Sequence, residues 1–408
     1  MQAVTTKMPA GEAQERLVAF LEEIAAGMAH VRQRANALIY VRGLIEHGGR
    51  KSLQPTLMRL GEDAARYESM QQFVADSPWD PGALVRAVAE RVVPEISPVA
   101  FVIDDTGFPK DGTRSPGVKR QYSGTLGKVG NCQIGVSLHA VGFGGTAPLG
   151  WALYLPADWC EDPGRRRAAK IPDRIGFATK PELAGDLIEA AASWQIPRAP
   201  VLGDQAYGDN AALRSRLHAH GTQYVLAIAK ATGLFGPETV FAVPARQPGR
   251  GRPPTVARPD RRPEAAGALA RRLAPEAFSQ IAFTTGPRGH RARGRFAFVR
   301  VSAAHPVVAD HLAAREEWLI IEWPAGAEGP SDYWLSNLPA DTAPERLAQL
   351  ARLRWVIELD YRQLKGELGL DHYEGRSYAG WHHHCALVTC AHAFLTLERL
   401  CPPARRPA

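Results

Sequence analysis

The order of the predicted secondary-structure elements between residues 98 and 228 limits the possible folds more than any other feature of this sequence. Short apolar runs predict strands, and apolar residues three or four positions apart predict helices. In chain order these patterns give strands at 99–103, 133–141 and 151–155, a helix at 181–194, a strand at 200–202, a helix at 210–220 and a strand at 224–228. This alternation predicts an α/β fold in which helices flank a mixed sheet.

The same order is that of the ribonuclease H-like fold, and the flanking segments suggest how the rest of the chain is organised. Residues 1–97 have helical spacing punctuated by glycine and proline, which predicts an N-terminal helical domain. Residues 98–232 and 339–408 are expected to form the two parts of the α/β core. Residues 233–338 predict a β-rich insertion, because strand-like runs recur within it. Its predicted strands are 281–284, 295–301, 318–323 and 333–338.

The balance of charges favours a polyanionic partner. The 408-residue chain has a formal net charge of +7, although a basic ribosomal or membrane-surface protein would have a similar balance. Residues 242–300 contain 13 arginines, three acidic residues and no lysine. Guanidinium groups fork onto phosphate oxygens, so this arginine-rich loop predicts phosphate binding, with a solvated loop as the alternative. For the basic segment 1–97, DNA binding and a helical cap on the next domain are equally open.

Four residues near the C-terminal end are spaced to share one face of a helix, because they follow one another in steps of four, three and four positions. They are Arg354, Glu358, Tyr361 and Lys365. The helix that carries them is predicted over residues 344–368, and Asp341 and Thr342 are its expected N-terminal cap.

Two carboxylates far upstream extend this set. Asp105 follows the predicted strand at 99–103, and Asp204 follows the predicted strand at 200–202. Each alone is more often a turn or cap residue. Together with Glu358 they are what two-metal phosphoryl transfer requires, since two ions stabilise the attacking and leaving oxygens and magnesium prefers carboxylate oxygens. The sequence therefore predicts that Asp105, Asp204 and Glu358 hold two Mg²⁺ ions, for which Mn²⁺ can substitute.

The cysteine, histidine and apolar patterns argue against a zinc site, a disulfide framework and a membrane span. The five cysteines form no Cys-x-x-Cys pair, so neither a structural zinc site nor a disulfide framework is indicated. The consecutive histidines 382–384 would point about 100° apart on a helix, so they cannot all bind one ion. The N-terminus has no apolar signal core, and no apolar run is long enough to cross a membrane. A cytoplasmic, nucleoid-associated protein is expected.

The chain resembles the DDE transposases of bacterial insertion sequences, in the branch marked by a Y-x2-R-x3-E-x6-K signature and a β-rich insertion before the catalytic helix. The residues that match R, E and K are Arg354, Glu358 and Lys365. Asp105, which stands before Thr106, matches the first catalytic aspartate, and Asp204 matches the second. The resemblance covers about residues 101–398.

The tyrosine position of the signature is the one clear departure. It falls on Ala351, and Tyr361, one turn after Glu358, is the candidate to take over its contact with DNA phosphate. The first catalytic aspartate is either Asp104 or Asp105. Neighbouring strand residues face opposite sides of a sheet, so only one of the two can point at the site. The match to the family motif favours Asp105.

The resemblance implies an enzyme that cuts DNA at the terminal inverted repeats of an insertion sequence and joins the 3′ ends to target DNA. Its implied partners are double-stranded DNA and a second copy of the chain, as a homodimer on paired ends. The implied DNA contacts are Arg354, Lys365, Tyr361, Lys119, Arg120, Lys128, Arg250 and Arg252.

Other functions remain open at this point. A stand-alone nuclease of the same fold would cut without joining, and a domesticated DNA-binding protein would keep the scaffold without catalysis. A glycosidase with paired carboxylates would need aromatic sugar platforms near its acids. Trp318, Trp323 and Trp334 are better explained as core or DNA-stacking residues, because they lie in strand-like runs.

Overall fold

The computed structural model describes residues 10–245, 255, 257–286, 289–304 and 315–401. The helices are α1 Ala10–Ile24, α2 Val31–Ile45, α3 Leu53–Leu60, α4 Ala64–Ala75, α5 Pro81–Ile96, α6 Ala157–Cys160, α7 Pro163–Ala168, α8 Lys180–Ala192, α9 Gln205–Gly208, α10 Ala211–Ala219, α11 Ala266–Arg272, α12 Pro344–Leu353, α13 Val356–Gly366 and α14 Tyr378–Leu400. The strands are β1 Pro98–Pro109, β2 Lys119–Ser123, β3 Lys128–Gly142, β4 Gly145–Tyr154, β5 Val201–Gly203, β6 Tyr224–Ala227, β7 Gly233–Phe235, β8 Phe241–Ala242, β9 Arg258–Pro259, β10 Glu264–Ala265, β11 Ser279–Thr285, β12 His290–Ala303, β13 Glu316–Glu322 and β14 Asp332–Ser336.

The described residues fall into two compact units, each made of separate stretches of chain. The first unit draws on Met1–Val99, Ile103–Arg198 and Val356–Ala408. The second draws on Ala100–Val102 and Ala199–Trp355. The division of the chain into four parts at residues 97, 232 and 338 stays a prediction.

The first unit is built around strand β3, which pairs with β1, β2 and β4. Every residue of β3 from Cys132 to Gly142 is buried, because helices cover this part of the sheet. Helix α8 packs against β3 and β4, and helix α14 packs against β4. The near-continuous burial of β3 explains why its central residues are mostly apolar.

The N-terminal helices belong to this first unit, and they are bonded to α14. Arg16 donates to both carboxylate oxygens of Glu398, at 2.8 and 2.9 Å. The Nδ1 atom of His383 lies 2.8 Å from the carbonyl oxygen of Val74. The predicted helical character of residues 1–97 is thus confirmed for the described residues, whereas a DNA-binding role for them stays a prediction.

The second unit contains the short strands β5 and β6 and the β-rich segment that follows them. Strand β5 is parallel both to the start of β1, where Val102 pairs with Leu202, and to β6. Strand β14 continues from β6 in antiparallel pairing and is followed by β13 and β12. The predicted β-rich character of this segment is confirmed for the described residues, and its strands β12, β13 and β14 extend the same sheet as β5 and β6. These pairings and flanking helices make a ribonuclease H-like α/β fold, as predicted.

Two boundaries differ from the prediction. Strand β1 does not end at Asp104 and Asp105 but runs to Pro109, because Phe108 is buried and its ring lies 5.5 Å from that of Trp381. The helix predicted over 344–368 is two helices, α12 and α13, separated by a turn at 354–355.

Specific hydrogen bonds accompany the turn between α12 and α13 and the start of α12. The indole Nε1 of Trp355 donates to Thr285 Oγ1 at 2.9 Å, which holds the turn against β11 of the second unit. The cap predicted at Asp341 and Thr342 is wrong, because α12 begins at Pro344 and the Thr342 hydroxyl donates to the carbonyl of Pro339 at 2.7 Å. Within the described part of the chain, no helix has the length and apolar character to span a membrane.

The end of β3 supplies a prediction about packing against the N-terminal helices. A Cβ atom at Gly142 would lie 2.0 Å from the carbonyl oxygen of Ile96, whereas a Cβ atom at Gly112 would meet no heavy atom within 4 Å. Because backbone must move to admit the methyl group, we expect Gly142→Ala to lower the unfolding free energy by about 2–3 kcal/mol. Chemical denaturation of Gly142→Ala and Gly112→Ala checks this, and equal midpoints would contradict it.

Candidate active site

Helix α13 presents three of the predicted site residues on one face. Glu358, Tyr361 and Lys365 are three and four positions apart, so they lie above one another along the helix. Glu358 is in the first turn and is exposed. Arg354 is not on this helix, because it forms the C-terminal cap of α12 in the second unit. The predicted four-residue face is therefore wrong at Arg354 and holds for the other three.

A buried network of polar side chains holds α13 through Asp360, which lies on the opposite face, and through the hydroxyl of Tyr361. Asp360 accepts a hydrogen bond from Thr146 Oγ1 at 2.5 Å, and its other oxygen lies 2.9 Å from His139 Nδ1. His139 Nε2 lies 3.1 Å from Ser137 Oγ, which is 2.7 Å from the hydroxyl of Tyr361. Ser137 and His139 come from β3 and Thr146 from β4, so the network binds α13 to both strands.

The first predicted ligand, Asp105, is paired with a lysine. Its Oδ2 atom lies 2.9 Å from Nζ of Lys180, the first residue of α8, and the two side chains are 20% and 31% exposed. Asp104 differs, because its Oδ1 accepts a hydrogen bond from the backbone N–H of Asp105 at 2.8 Å. Asp105 is thus in contact with a cationic side chain.

Charged side chains of the first unit shift the pKa values of two buried groups, the Cys132 thiol and the Tyr361 hydroxyl. Burial raises the pKa of the Cys132 thiol, whereas Lys180 and Lys365 lower it and Asp105 raises it. Burial also raises the pKa of Tyr361 well above its ordinary value, and Asp104 and, to a smaller extent, Asp105 contribute in the same direction. Asp105, Tyr361, Lys180 and Lys365 therefore belong to one electrostatic neighbourhood in this unit.

Lys365 is held beside the end of β1. Its Nζ atom donates to the carbonyl oxygen of Gly107 at 2.7 Å and lies 3.3 Å from Thr125 Oγ1. The ammonium is also 5.5 Å from the ring centre of Phe108. Burial lowers the pKa of Lys365 to about 8. This lysine carries its charge at neutral pH only against a desolvation cost.

The second predicted ligand, Asp204, lies in the second unit at the end of β5. It is the N-terminal cap of α9, and its Oδ1 accepts a hydrogen bond from the N–H of Ala206 at 2.9 Å. Asp204 comes shortly after Leu202 in its strand, and Asp105 comes shortly after Val102, the residue paired with Leu202. The start of β1 and β5 are parallel neighbours in the sheet.

The predicted basic DNA contacts of the β2–β3 hairpin are exposed, and one of them is in an ion pair. Lys119, Arg120 and Lys128 are exposed on the hairpin of β2 and β3. Lys119 is engaged with Asp158, whose Oδ1 lies 2.9 Å from Lys119 Nζ. Arg250 and Arg252 lie outside the described residues. The hairpin thus offers a basic surface of which Lys119 is partly neutralised.

A metal ion is implied by the predicted chemistry, and the donor atoms can be tested against it. No three His, Cys, Asp or Glu side chains converge as metal ligands among the residues that the structure describes. The donors of the predicted set are carboxylate oxygens, which suit a hard divalent cation. The ammonium group on Asp105 Oδ2 shows that this carboxylate accepts a cation where it stands. In its chemistry the donor set fits Mg²⁺.

Sequence reasoning missed Lys180 and the residues of the buried network. Asp360 had a recognisable signal, because it shares the buried face of α13 with Val356, Ile357 and Leu364, and a carboxylate there needs a partner. Lys180 had none, since it is paired with a residue 75 positions away along the chain.

Comparison with known proteins gives two matches. A family model described as "DDE superfamily endonuclease" matches residues 23–293, which is more than half of the chain and includes Asp105 and Asp204. A protein of Microchaete diplosiphon named "Probable transposase for insertion sequence element IS701" is 32% identical over 170 residues. That alignment covers 41% of this chain and 41% of the relative, so the chain spans less than half the length of the relative it matches.

The buried network predicts a large effect for Asp360. Asp360→Ala removes a side chain that is 6% exposed and leaves His139 and Thr146 without their partner. We expect the unfolding free energy to fall by about 3 kcal/mol or more. Tyr361→Phe removes one hydrogen bond and should cost about 1 kcal/mol.

Denaturant unfolding of both variants measures these losses, with exposed Asp173→Ala as the control for removing a carboxylate from the same unit. A loss in Asp360→Ala no larger than in Asp173→Ala would show that the network does not hold α13.

Lys365 predicts a pH dependence of stability. Its folded pKa of about 8 lies below its ordinary value of 10.5, so the unfolded chain binds more protons between these two values. Below pH 8 the folded protein holds a charged Lys365 in a desolvated environment, which lowers its stability. This loss of stability disappears as the pH rises to 10.5, because Lys365 of the folded protein is then neutral. We therefore expect the stability of the wild type, relative to Lys365→Met, to rise across this window. Denaturation on both sides of the window measures the difference, and a constant difference would contradict the pKa shift.

Proposed function

The chain belongs to the DDE superfamily endonucleases, and from this premise we propose that it is a transposase. In this proposal it cuts DNA at the terminal inverted repeats of an insertion sequence and joins the freed 3′ ends to target DNA. The similarity to a protein named as a probable insertion-sequence transposase supports the proposal. The observation that carries it is the electrostatic neighbourhood of Asp105, together with a helix that presents Glu358, Tyr361 and Lys365 on one face.

Asp105, Asp204 and Glu358 are the proposed catalytic carboxylates. They would hold Mg²⁺, with two ions as the proposed number and Mn²⁺ as a substitute. When bound, the ions supply positive charge that stabilises the transferring phosphate and its attacking and leaving oxygens. The carboxylate chemistry of the set and the cation already paired with Asp105 support this assignment.

The cationic residues are proposed to bind the DNA backbone. Phosphate contacts give affinity and fix the register of a protein on DNA. The proposed cationic contacts are Arg354, Lys365, Lys119, Arg120, Lys128, Arg250 and Arg252, and the neutral Tyr361 is proposed as a further contact. The exposed basic hairpin of β2 and β3 supports Arg120 and Lys128 most directly, because both side chains reach solvent.

The partners in this proposal are double-stranded DNA and a second copy of the chain. Cutting two paired ends requires one active site for each end, which a homodimer provides. We further propose that the N-terminal helices contribute to DNA binding and that the protein associates with the nucleoid. The excess of basic residues supports both ideas.

The test is cleavage of labelled duplexes that carry the element's ends, in Mg²⁺ or Mn²⁺. Glu358→Ala is expected to reduce nicking at the end by more than about 100-fold, because even an outer partner of a metal ligand is worth roughly 10- to 100-fold. Glu367→Ala removes an exposed carboxylate just beyond α13 and is expected to cut like the wild type. Assays across metal concentrations establish whether cleavage requires a divalent ion.

The products distinguish the competing functions. Joined strands in the wild-type reaction identify a transposase, whereas cutting without joining identifies a nuclease of the same fold. Equal cutting by the wild type and Glu358→Ala would remove Glu358 from the mechanism. Tight binding of paired ends without cutting by either protein would identify a DNA-binding protein that has lost catalysis.

A further inference from the structure

The contact between Lys180 and Asp105 is not explained by the stability of α8. Lys180 is the first residue of this helix, where the helix dipole disfavours a positive charge. The start of the helix is already fixed by Thr179 and Glu182, which cap each other's backbone N–H groups. The lysine therefore stands on a rigid helix start in an unfavourable field, and its ammonium lies 2.9 Å from Asp105 Oδ2.

The pair between Lys180 and Asp105 is less exposed to solvent than an ordinary surface ion pair. The side chains are 31% and 20% exposed, whereas those of the pair between Lys170 and Asp76 in the same unit are 62% and 44% exposed. Partial burial reduces screening by water and salt. A divalent ion that binds Asp105 must therefore approach an ammonium group that is poorly screened, and the two cations repel each other.

We propose that Lys180 is an internal counter-cation of Asp105 that competes with the divalent ion, and that DNA relieves this competition. The ammonium is on a flexible four-carbon side chain, so it can leave Asp105 for a phosphate oxygen of the substrate. Asp105 then becomes available to the metal when DNA is in place. Lys180 is thus a positioning residue that couples metal binding to DNA binding.

This inference rests on the proposed function, since it needs both a metal at Asp105 and a DNA substrate. Its consequence is reciprocal, because any coupling between two ligands raises the affinity of each by the same factor. Loading the metal mainly on DNA would restrain hydrolysis before an end is bound. The coupling should disappear when the charge at position 180 is removed.

The experiment measures Mn²⁺ affinity of the full chain by titration calorimetry, with and without a short duplex of the element's end. Lys180→Met should bind Mn²⁺ about tenfold or more tightly than the wild type in the absence of DNA, because the competing charge is gone. DNA should raise the Mn²⁺ affinity of the wild type and have a smaller effect on Lys180→Met. Lys180→Arg keeps the charge and should resemble the wild type.

Two controls make the result specific. Lys170→Met removes a lysine from the exposed pair with Asp76 and should leave Mn²⁺ affinity unchanged. Asp105→Asn should weaken Mn²⁺ binding and so identify Asp105 as part of the measured site. Thermal unfolding in a chelator confirms that each variant is folded, and Lys180→Gln replaces Lys180→Met if the latter is not.

The outcomes separate this inference from the proposed function. Equal or weaker Mn²⁺ binding by Lys180→Met, with Asp105→Asn still impaired, would overturn the role of Lys180 and leave the metal site in place. In the presence of DNA, equal Mn²⁺ affinity in the wild type and Asp105→Asn, or no binding by either, would overturn both the proposed metal site and the inference. A DNA effect of the same size in the wild type and Lys180→Met would overturn the coupling.

Discussion

The placement of helix α13 depends on the buried carboxylate of Asp360. A charge removed from water costs several kcal/mol unless hydrogen bonds and an opposite charge compensate it. Thr146 and His139 provide the compensating contacts from two neighbouring strands. Both contacts form only when Asp360 faces these strands. The orientation of the other side chains on α13 follows from this position of Asp360.

The orientation of Glu358 is the first consequence. It stands two positions before Asp360, which on an α-helix corresponds to about 200° of rotation. With Asp360 turned into the core, Glu358 has to face away from it, and its side chain is exposed. Lys365 and Tyr361 occupy the same face as Glu358, and their polar ends reach Gly107 and Ser137. The buried contacts of Asp360 on one side of the helix thus leave Glu358 exposed on the other.

The sequence predicted the strands and helices that depend on local apolar patterns. It did not predict the boundaries that depend on contacts between residues far apart in the chain. Strands β3 to β6 and helices α8, α10 and α14 were found because apolar periodicity is a property of neighbouring residues. The turn between α12 and α13 was missed, because Trp355 is held by Thr285, a residue far away in the chain. The full length of β1 was missed for the same reason, since Phe108 packs on Trp381. Asp105 was recognised by motif, but its partner Lys180 could be found only in the fold.

Burial explains why alanine and not tyrosine stands at position 351 of the signature. Ala351 is 5% exposed on the buried face of α12, beside Leu347 and Leu350, so a larger aromatic side chain has no room there without repacking. Tyr361 is the tyrosine of α13, but its hydroxyl is bonded to Ser137 and its pKa is raised well above the ordinary value by burial. It is therefore neutral and already engaged. The hydroxyl of Tyr361 holds α13 on β3, so in the proposed contact with DNA a phosphate would have to compete with Ser137 for this hydroxyl.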